Sequence, residues 1–355
     1  MSTPLLSLKA ERRLKSGVKR AIFSALHTLP LDANVAAPAK RAIFFGHRVL
    51  GDAVVDPVSR LFLAIRPQAL SRAALVQRLE WLRAQWDFVP LDAVFTANVS
   101  PGRYAAALTF DDAYRDFLDI VAPLAKTLGL PVTFYVTVAP LDHEELLWFD
   151  QIYCSVAATN APQVSLESCV SPPYKLRSAE ERVAAAVGLC DLVSRLSPNA
   201  RKKAVVELVD KLGPGPVRAK DLYLSRSDVA QLARQDTITI ASHSFTHSNL
   251  LSLTDEELVC ELAHSKSELE AISGKPVRHF SYPNGLCDER ISRLAGECGY
   301  KTACATRFGI SRDQLRLPRI NLGWWEDKEF FVRTSARFRP HRTFGLSSLW
   351  AGTGE

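Results

Sequence analysis

The residues best suited to chemistry sit in two short segments, Thr109-Phe110-Asp111-Asp112 and His243-Ser244-Phe245-Thr246-His247. The first puts adjacent carboxylates at the end of an apolar run, Tyr104 to Phe110, that reads as a buried strand. The second puts two imidazoles four residues apart, after another strand-like run, Thr237 to Ala241. Two His at i and i+4 share one face if the backbone there is helical, so both reach one metal. One Asp oxygen added to them gives two imidazoles and a carboxylate with open positions, which a hydrolytic metal needs to hold water. Neighbouring residues at a strand end point in different directions. One carboxylate then suits the metal and the other suits a base, because a carboxylate spent on the metal cannot also take a proton. An Asp pair is commonly a solvated turn, and an H-x-x-x-H pair is commonly two surface histidines. Their shared position just past predicted strands, where α/β folds place their active sites, favours the chemical reading.

The elements that must position these groups alternate between strand and helix. A first strand, Ala42 to Gly46, ends at His47. Helical spacing follows over Leu70 to Trp86, with Ser71 as N-cap. Strands are predicted near Phe88 to Leu91, Ala105 to Phe110 and Val132 to Thr137, with a helix from about Tyr114 to Leu128 stopped by Gly129. Residues 140–225 break the rhythm with a mostly helical insertion, in which Ser178-x-x-Glu181 is a capping box and Pro198 opens a helix that stops near Gly213. Its unremarkable charge pattern favours a side wall over a lid. The alternation resumes with Thr237 to Ala241, then a helix opened by the box Thr254-x-x-Glu257 and ended at Gly274. Strands follow near Val277 to Tyr282, Lys301 to Ala305 and Leu315 to Asn321. Such alternation implies a parallel sheet. The tail after about Phe338 reads as loosely ordered.

Composition narrows the class. Hydrophobic content of 47% and charged content of 23% over 355 residues fit a globular protein with a large core. No apolar run approaches the roughly 18 residues of a spanning helix. Residues 1–48 carry a net charge of +7 and the rest of the chain sums to −1. No basic, aromatic-interleaved stripe crosses the body, which excludes a nucleic-acid partner. The basic leader, residues 1–40, interleaves Lys and Arg with Leu5, Leu8, Leu14, Val18 and Ile22. That spacing suits an amphipathic helix, with residues 1–30 in peripheral contact with an anionic membrane; a helix packed on the body is the plainer reading. The leader fits a signal peptide badly. Seven scattered cysteines without a C-x-x-C read as reduced residues in a cytoplasmic protein, peripheral at the inner membrane face if the leader binds lipid.

These motifs resemble the polysaccharide deacetylases of carbohydrate esterase family 4, the homologues of nodulation-type chitooligosaccharide deacetylase. T-F-D-D at 109–112 and H-S-F-T-H at 243–247 match the family's first two motifs. Phe45-Gly46-His47-Arg48-Val49, Pro131-Val132-Thr133-Phe134-Tyr135-Val136 and Phe280-Ser281-Tyr282-Pro283-Asn284-Gly285 match further stretches, in order, over roughly residues 41–322. The resemblance implies an α/β fold, a distorted (β/α)7 barrel of the polysaccharide deacetylase type with a helical insertion at about 140–225, spanning residues 41–338. A tail over 339–355 follows it. It implies Asp112, His243 and His247 as metal ligands, with zinc the default and cobalt, nickel or ferrous iron also suited. It implies Asp111 as catalytic base, and the backbone N–H of Asn284, after Pro283, as an oxyanion donor.

Two departures from the family pattern matter. The Arg that orients the base in the third motif is replaced by Ser281, and Arg319 or Arg48 is the candidate substitute. The fifth-motif Leu-x-His, source of the general acid, is absent. His47 matches the Y-H-x-V of the branch that includes poly-N-acetylglucosamine deacetylases, where an N-terminal strand takes the last strand's place. By that resemblance it protonates the leaving amine, since an amine anion is a poor leaving group. Tyr282, Pro283, Arg319 and Trp324 complete the candidate site as substrate-binding residues, with Trp324-Trp325 able to stack on a sugar or to be buried. His27, His143, His264 and His279 read as structural or surface. The implied reaction is hydrolysis of an N-acetyl group on an amino sugar during glycan or exopolysaccharide assembly. O-acetyl ester or N-formyl hydrolysis, and a sugar-binding pseudoenzyme, are the alternatives.

Overall fold

Alternation along strands explains how the barrel fills. The computed structural model describes residues 41–51, 69–305, 313–323, 330 and 334. The predicted leader, the C-terminal tail, Trp324 and Trp325 lie outside the described residues. The site and barrel fall in one compact unit, Ala39–Trp325, and Phe330 and Thr334 belong to a second unit.

Six parallel strands are β1 (Arg41–Gly46), β2 (Tyr104–Phe110), β3 (Val132–Val136), β4 (Ile238–Ser242), β5 (His279–Ser281) and β6 (Thr302–Ala305). The seventh, β7, is Leu317–Pro318 and Ile320–Asn321 on either side of Arg319. Its first half pairs with β6, Cys304 opposite Leu317. Its second half pairs with β1, Phe44 opposite Ile320. One strand thus joins both ends of the sheet, and the nearly closed barrel has the seven strand positions expected. The short strand Trp86–Phe88 lies beside the first half of β2.

Inward positions follow the two-residue period. Ile43, Ala105, Ala107, Tyr135, Ala241, Cys304 and Leu317 pack into one buried cluster, closed from below by Leu91 and Val94. Most of these side chains are small. That leaves room one layer higher for Phe45, Thr109 and the whole of Arg319, which is 1% exposed. The next inward positions, at the carboxyl ends, are His47, Asp111 and His243.

Among the described residues the longer helices beside the strands are α1 (Arg72–Arg83), α2 (Ala122–Leu128), α3 (Trp148–Ala158), α4 (Ala179–Ser194), α5 (Pro198–Leu212), α6 (Arg226–Ala233), α7 (Asp255–Ser273) and α8 (Glu289–Glu297). Ser71 caps α1 as expected, its hydroxyl accepting from the Ala74 N–H at 3.1 Å. The Thr254 and Glu257 capping box at α7 is complete in both directions. At α4 the box is shifted. Ser178 accepts from the Glu181 N–H, but the Glu181 carboxylate takes the N–H of Arg177. The helix expected from Tyr114 begins at Phe117, as a wide turn leading into α2. Tyr114 is instead committed to an antiparallel bridge with Tyr223.

That bridge fastens the helical insertion to the segment after Asp112. The Arg115 N–H donates to the Leu222 carbonyl and the Leu224 N–H to the Ala113 carbonyl. Asp150 of α3, fully buried, accepts from the hydroxyls of both Tyr114 and Tyr223. The Tyr223 oxygen in turn accepts from the Leu147 N–H at 3.0 Å.

Candidate metal and hydrolytic site

Asp111 and Asp112 follow β2, and His243 follows β4. Simple alternation would send Asp112 away from Asp111. A left-handed backbone at Asp112, φ 74°, turns its carboxylate back to the barrel mouth instead. Both carboxylates end near one nitrogen: His243 Nε2 lies 3.9 Å from Asp111 Oδ2 and 3.5 Å from Asp112 Oδ1. His247 Nε2 is also 3.5 Å from Asp112 Oδ1. The helical route expected for the two histidines is corrected here. Residues 243–249 form no helix, and the imidazoles meet through a loop whose Ser244 and His247 have φ of 67° and 57°.

The base corner is built from strand ends. Arg319 of β7 grips Asp111 with two parallel bonds, Nη1 to Oδ1 and Nη2 to Oδ2, both 2.6 Å. Its guanidinium lies 4.3 Å from the Phe45 ring centre and also reaches the Thr109 and Ser281 hydroxyls. Ser281 stands where the motif of the resembled family has an arginine, and its small side chain leaves room for an arginine from β7, two strands away. Burial pushes the Asp111 carboxyl up. The charge and hydrogen bonds of Arg319 lead the effects that outweigh it and hold the group well below the usual carboxylate range. His47, at the end of β1, places Nε2 4.0 Å from Asp111 Oδ2.

The ligand corner has the donor chemistry of a metal site. Asp112, His243 and His247 are buried, and one ligand atom from each lies within 4.8 Å of the others. His243 Nδ1 is 2.7 Å from the Ser281 carbonyl oxygen. A carbonyl only accepts, so Nδ1 carries the proton and Nε2 turns its lone pair to Asp112. Burial lowers the His243 pKa and favours this neutral form. A lone pair facing a carboxylate oxygen at 3.5 Å calls for an electrophile between them. A divalent cation bound by two imidazoles and a carboxylate satisfies that geometry.

Other predicted residues take different places. Arg48 does not reach Asp111. Its Nε bonds Asp116 Oδ2 at 2.8 Å, and the same oxygen accepts from the Val49 N–H, which fastens the segment carrying His47. Arg319 and Tyr282, expected as substrate contacts, both have internal partners. Arg319 is spent on Asp111, and the fully buried Tyr282 donates its hydroxyl to the Leu315 carbonyl at 2.7 Å. Pro283 is buried, whereas Asn284 is exposed at a turn with φ 57°. His279 is a buried structural residue, between the Thr302 hydroxyl and Asp92.

Several contributors were missed in the sequence. Trp148 donates its indole N–H to the His247 carbonyl at 3.2 Å, and Phe149 meets the His247 ring edge-on. Glu261 of α7 holds the histidine loop. The available signal was an acidic residue on the helix face that carries Leu258, Leu262 and Leu269.

Residues 204–303, which include the histidine loop and the Ser281–Gly285 turn, match the family described as polysaccharide deacetylase. YxkH of Bacillus subtilis strain 168, a protein assigned to the polysaccharide deacetylases, is 31% identical over 93 residues, 26% of this chain and 33% of that protein. The chain thus matches about a third of the length of this relative. Among solved structures, the Streptococcus pyogenes deacetylase PplD, in complex with acetate, has a TM-score of 0.54 at 16% identity, over 84% of this chain and 99% of that one. IcaB from Ammonifex degensii has a TM-score of 0.52 at 13% identity, over 83% and 96% of the two chains. At such identities the structures establish the fold, which this chain shares with solved deacetylases, and residues 204–303 carry the sequence match to the polysaccharide deacetylase family.

Proposed function

We propose that the protein is a metal-dependent hydrolase that removes N-acetyl groups from an amino-sugar-containing glycan or glycan precursor. One observation carries the reading: a buried Asp112, His243 and His247 donor set lies directly beside a second carboxylate, Asp111, that a buried arginine keeps ionised. A divalent metal held by the three donors, zinc by default, would polarise the acyl carbonyl and acidify a water molecule.

The chain's own residues supply the rest. Asp111 Oδ2, turned to the site mouth, orients the attacking water and takes its proton. Arg319 fixes the direction of that oxygen. His47, on the neighbouring strand, gives a proton to the leaving amine. The exposed turn at Asn284 offers its backbone N–H to the developing oxyanion. The proposal includes a cytoplasmic setting, on the strength of seven scattered free thiols. A nucleotide-linked, lipid-linked or small acetylated sugar suits that setting better than a finished polymer.

The test is metal analysis of the purified protein together with acetate release from a panel of N-acetyl and O-acetyl sugars. About one metal per chain, with turnover on N-acetyl sugars, supports the reading. Turnover on esters alone would replace the amide with an ester. Bound metal without any turnover would leave sugar binding as the function, and no bound metal would overturn the reading.

A further inference from the structure

The loop that presents both histidines is held from outside the barrel. Its backbone is left-handed at two non-glycine residues, Ser244 and His247, a conformation that persists only where the surroundings enforce it. Glu261 supplies the enforcement. Its Oε2 accepts from two successive backbone N–H groups, Phe245 at 2.8 Å and Thr246 at 2.9 Å. Its Oε1 accepts from the Thr246 hydroxyl and, at 3.4 Å, from the Ser248 hydroxyl. Four donors thus converge on one carboxylate, three of them between the two ligands in sequence and the fourth, Ser248, directly after His247.

A second tie runs to the insertion. Arg201 of α5, 6% exposed, donates from Nη2 to the Ser248 hydroxyl at 2.7 Å. Its Nη1 has no hydrogen-bond partner among the described residues. Its charge also acts on Glu261, and its guanidinium lies 5.7 Å from the Trp148 ring, whose indole bonds the His247 carbonyl.

We propose that Glu261 is the positioning residue of the metal-ligand loop, and that Arg201 couples it to the helical insertion. Glu261 touches neither metal nor substrate. It sets how well His243 and His247 converge, and therefore how tightly the metal is held. The inference rests on the metal reading above, and the test separates the two.

The measurement is the zinc dissociation constant of the full chain, by competition with a coloured chelator, beside the melting temperature of the metal-free protein. Partners around metal ligands typically change affinity about 10- to 100-fold, and Glu261→Ala is expected to weaken zinc binding within that range. Glu261→Gln, whose amide oxygen still accepts from the two backbone N–H groups, is expected to recover most of the affinity. Arg201→Ala is expected to weaken zinc binding by less than Glu261→Ala. Zinc affinity equal to wild type in Glu261→Ala overturns the inference and leaves the metal site intact. So does a lowered metal-free melting temperature in Glu261→Ala with unchanged zinc affinity, since that is a purely structural role. Failure of the wild type to bind zinc, or any divalent metal, sinks the reading on which the inference stands.

Discussion

The two corners of the site are adjacent in space yet held by opposite means. Asp111 is fixed entirely by barrel strands: Arg319 on β7, Ser281 on β5 and the Gly46 carbonyl on β1, which accepts the Asp111 N–H at 3.0 Å. The histidine loop is fixed largely by peripheral elements: Glu261 on α7, Trp148 on α3 and Arg201 on α5. The base therefore shares the rigidity of the closed sheet. The ligand corner depends on how helices outside the barrel pack, so changes far from the chemistry should reach the metal before they reach the base.

The contrast breaks most completely if a ligand is removed. His243→Ala should abolish both metal binding and acetate release, measured as metal per chain and turnover. Asp111→Asn should separate the two corners. Acetate release should fall about 10²- to 10⁴-fold, the usual contribution of a positioned proton acceptor, while metal content stays near wild type. Loss of metal in that variant would show that the base corner also builds the ligand corner.

Arg319→Met tests the strand-built corner through stability. Removing one member of a buried ion pair strands the other charge and costs about 3–5 kcal/mol. The melting temperature should fall clearly, and the double variant Arg319→Met with Asp111→Asn should lose less than the two single changes combined. Additive losses would mean that the pair is not coupled. The smallest effect is expected at the insertion's anchor. Tyr223→Phe removes one donor to the buried Asp150, at a cost of about 1–3 kcal/mol. Chemical denaturation should show that loss with zinc affinity unchanged, because the anchor touches Asp150 and Leu147 and not the histidine loop.

The sequence by itself determined the chemical inventory. Asp111, Asp112, His243 and His247 announced themselves by type, spacing and position after apolar runs, and the strand–helix alternation specified a parallel sheet. Local signals also set the helix starts at Ser71 and Thr254 and the stops at Gly129 and Gly274, because caps act within one turn. His47 and Arg319 were visible as candidates, but which arginine met Asp111 was not. That choice required β7 to close the barrel between β6 and β1, a pairing between residues far apart in the chain. The same closure gave Arg319 and Tyr282 their internal partners, Asp111 and the Leu315 carbonyl. It took the left-handed turns at Asp112 and His247 to bring the ligands together, against the simple periodicity of strand and helix. Glu261, Trp148 and Arg201 entered the site only through tertiary packing. Long-range pairing selects among the many polar groups a sequence offers, and only the folded chain shows which ones meet.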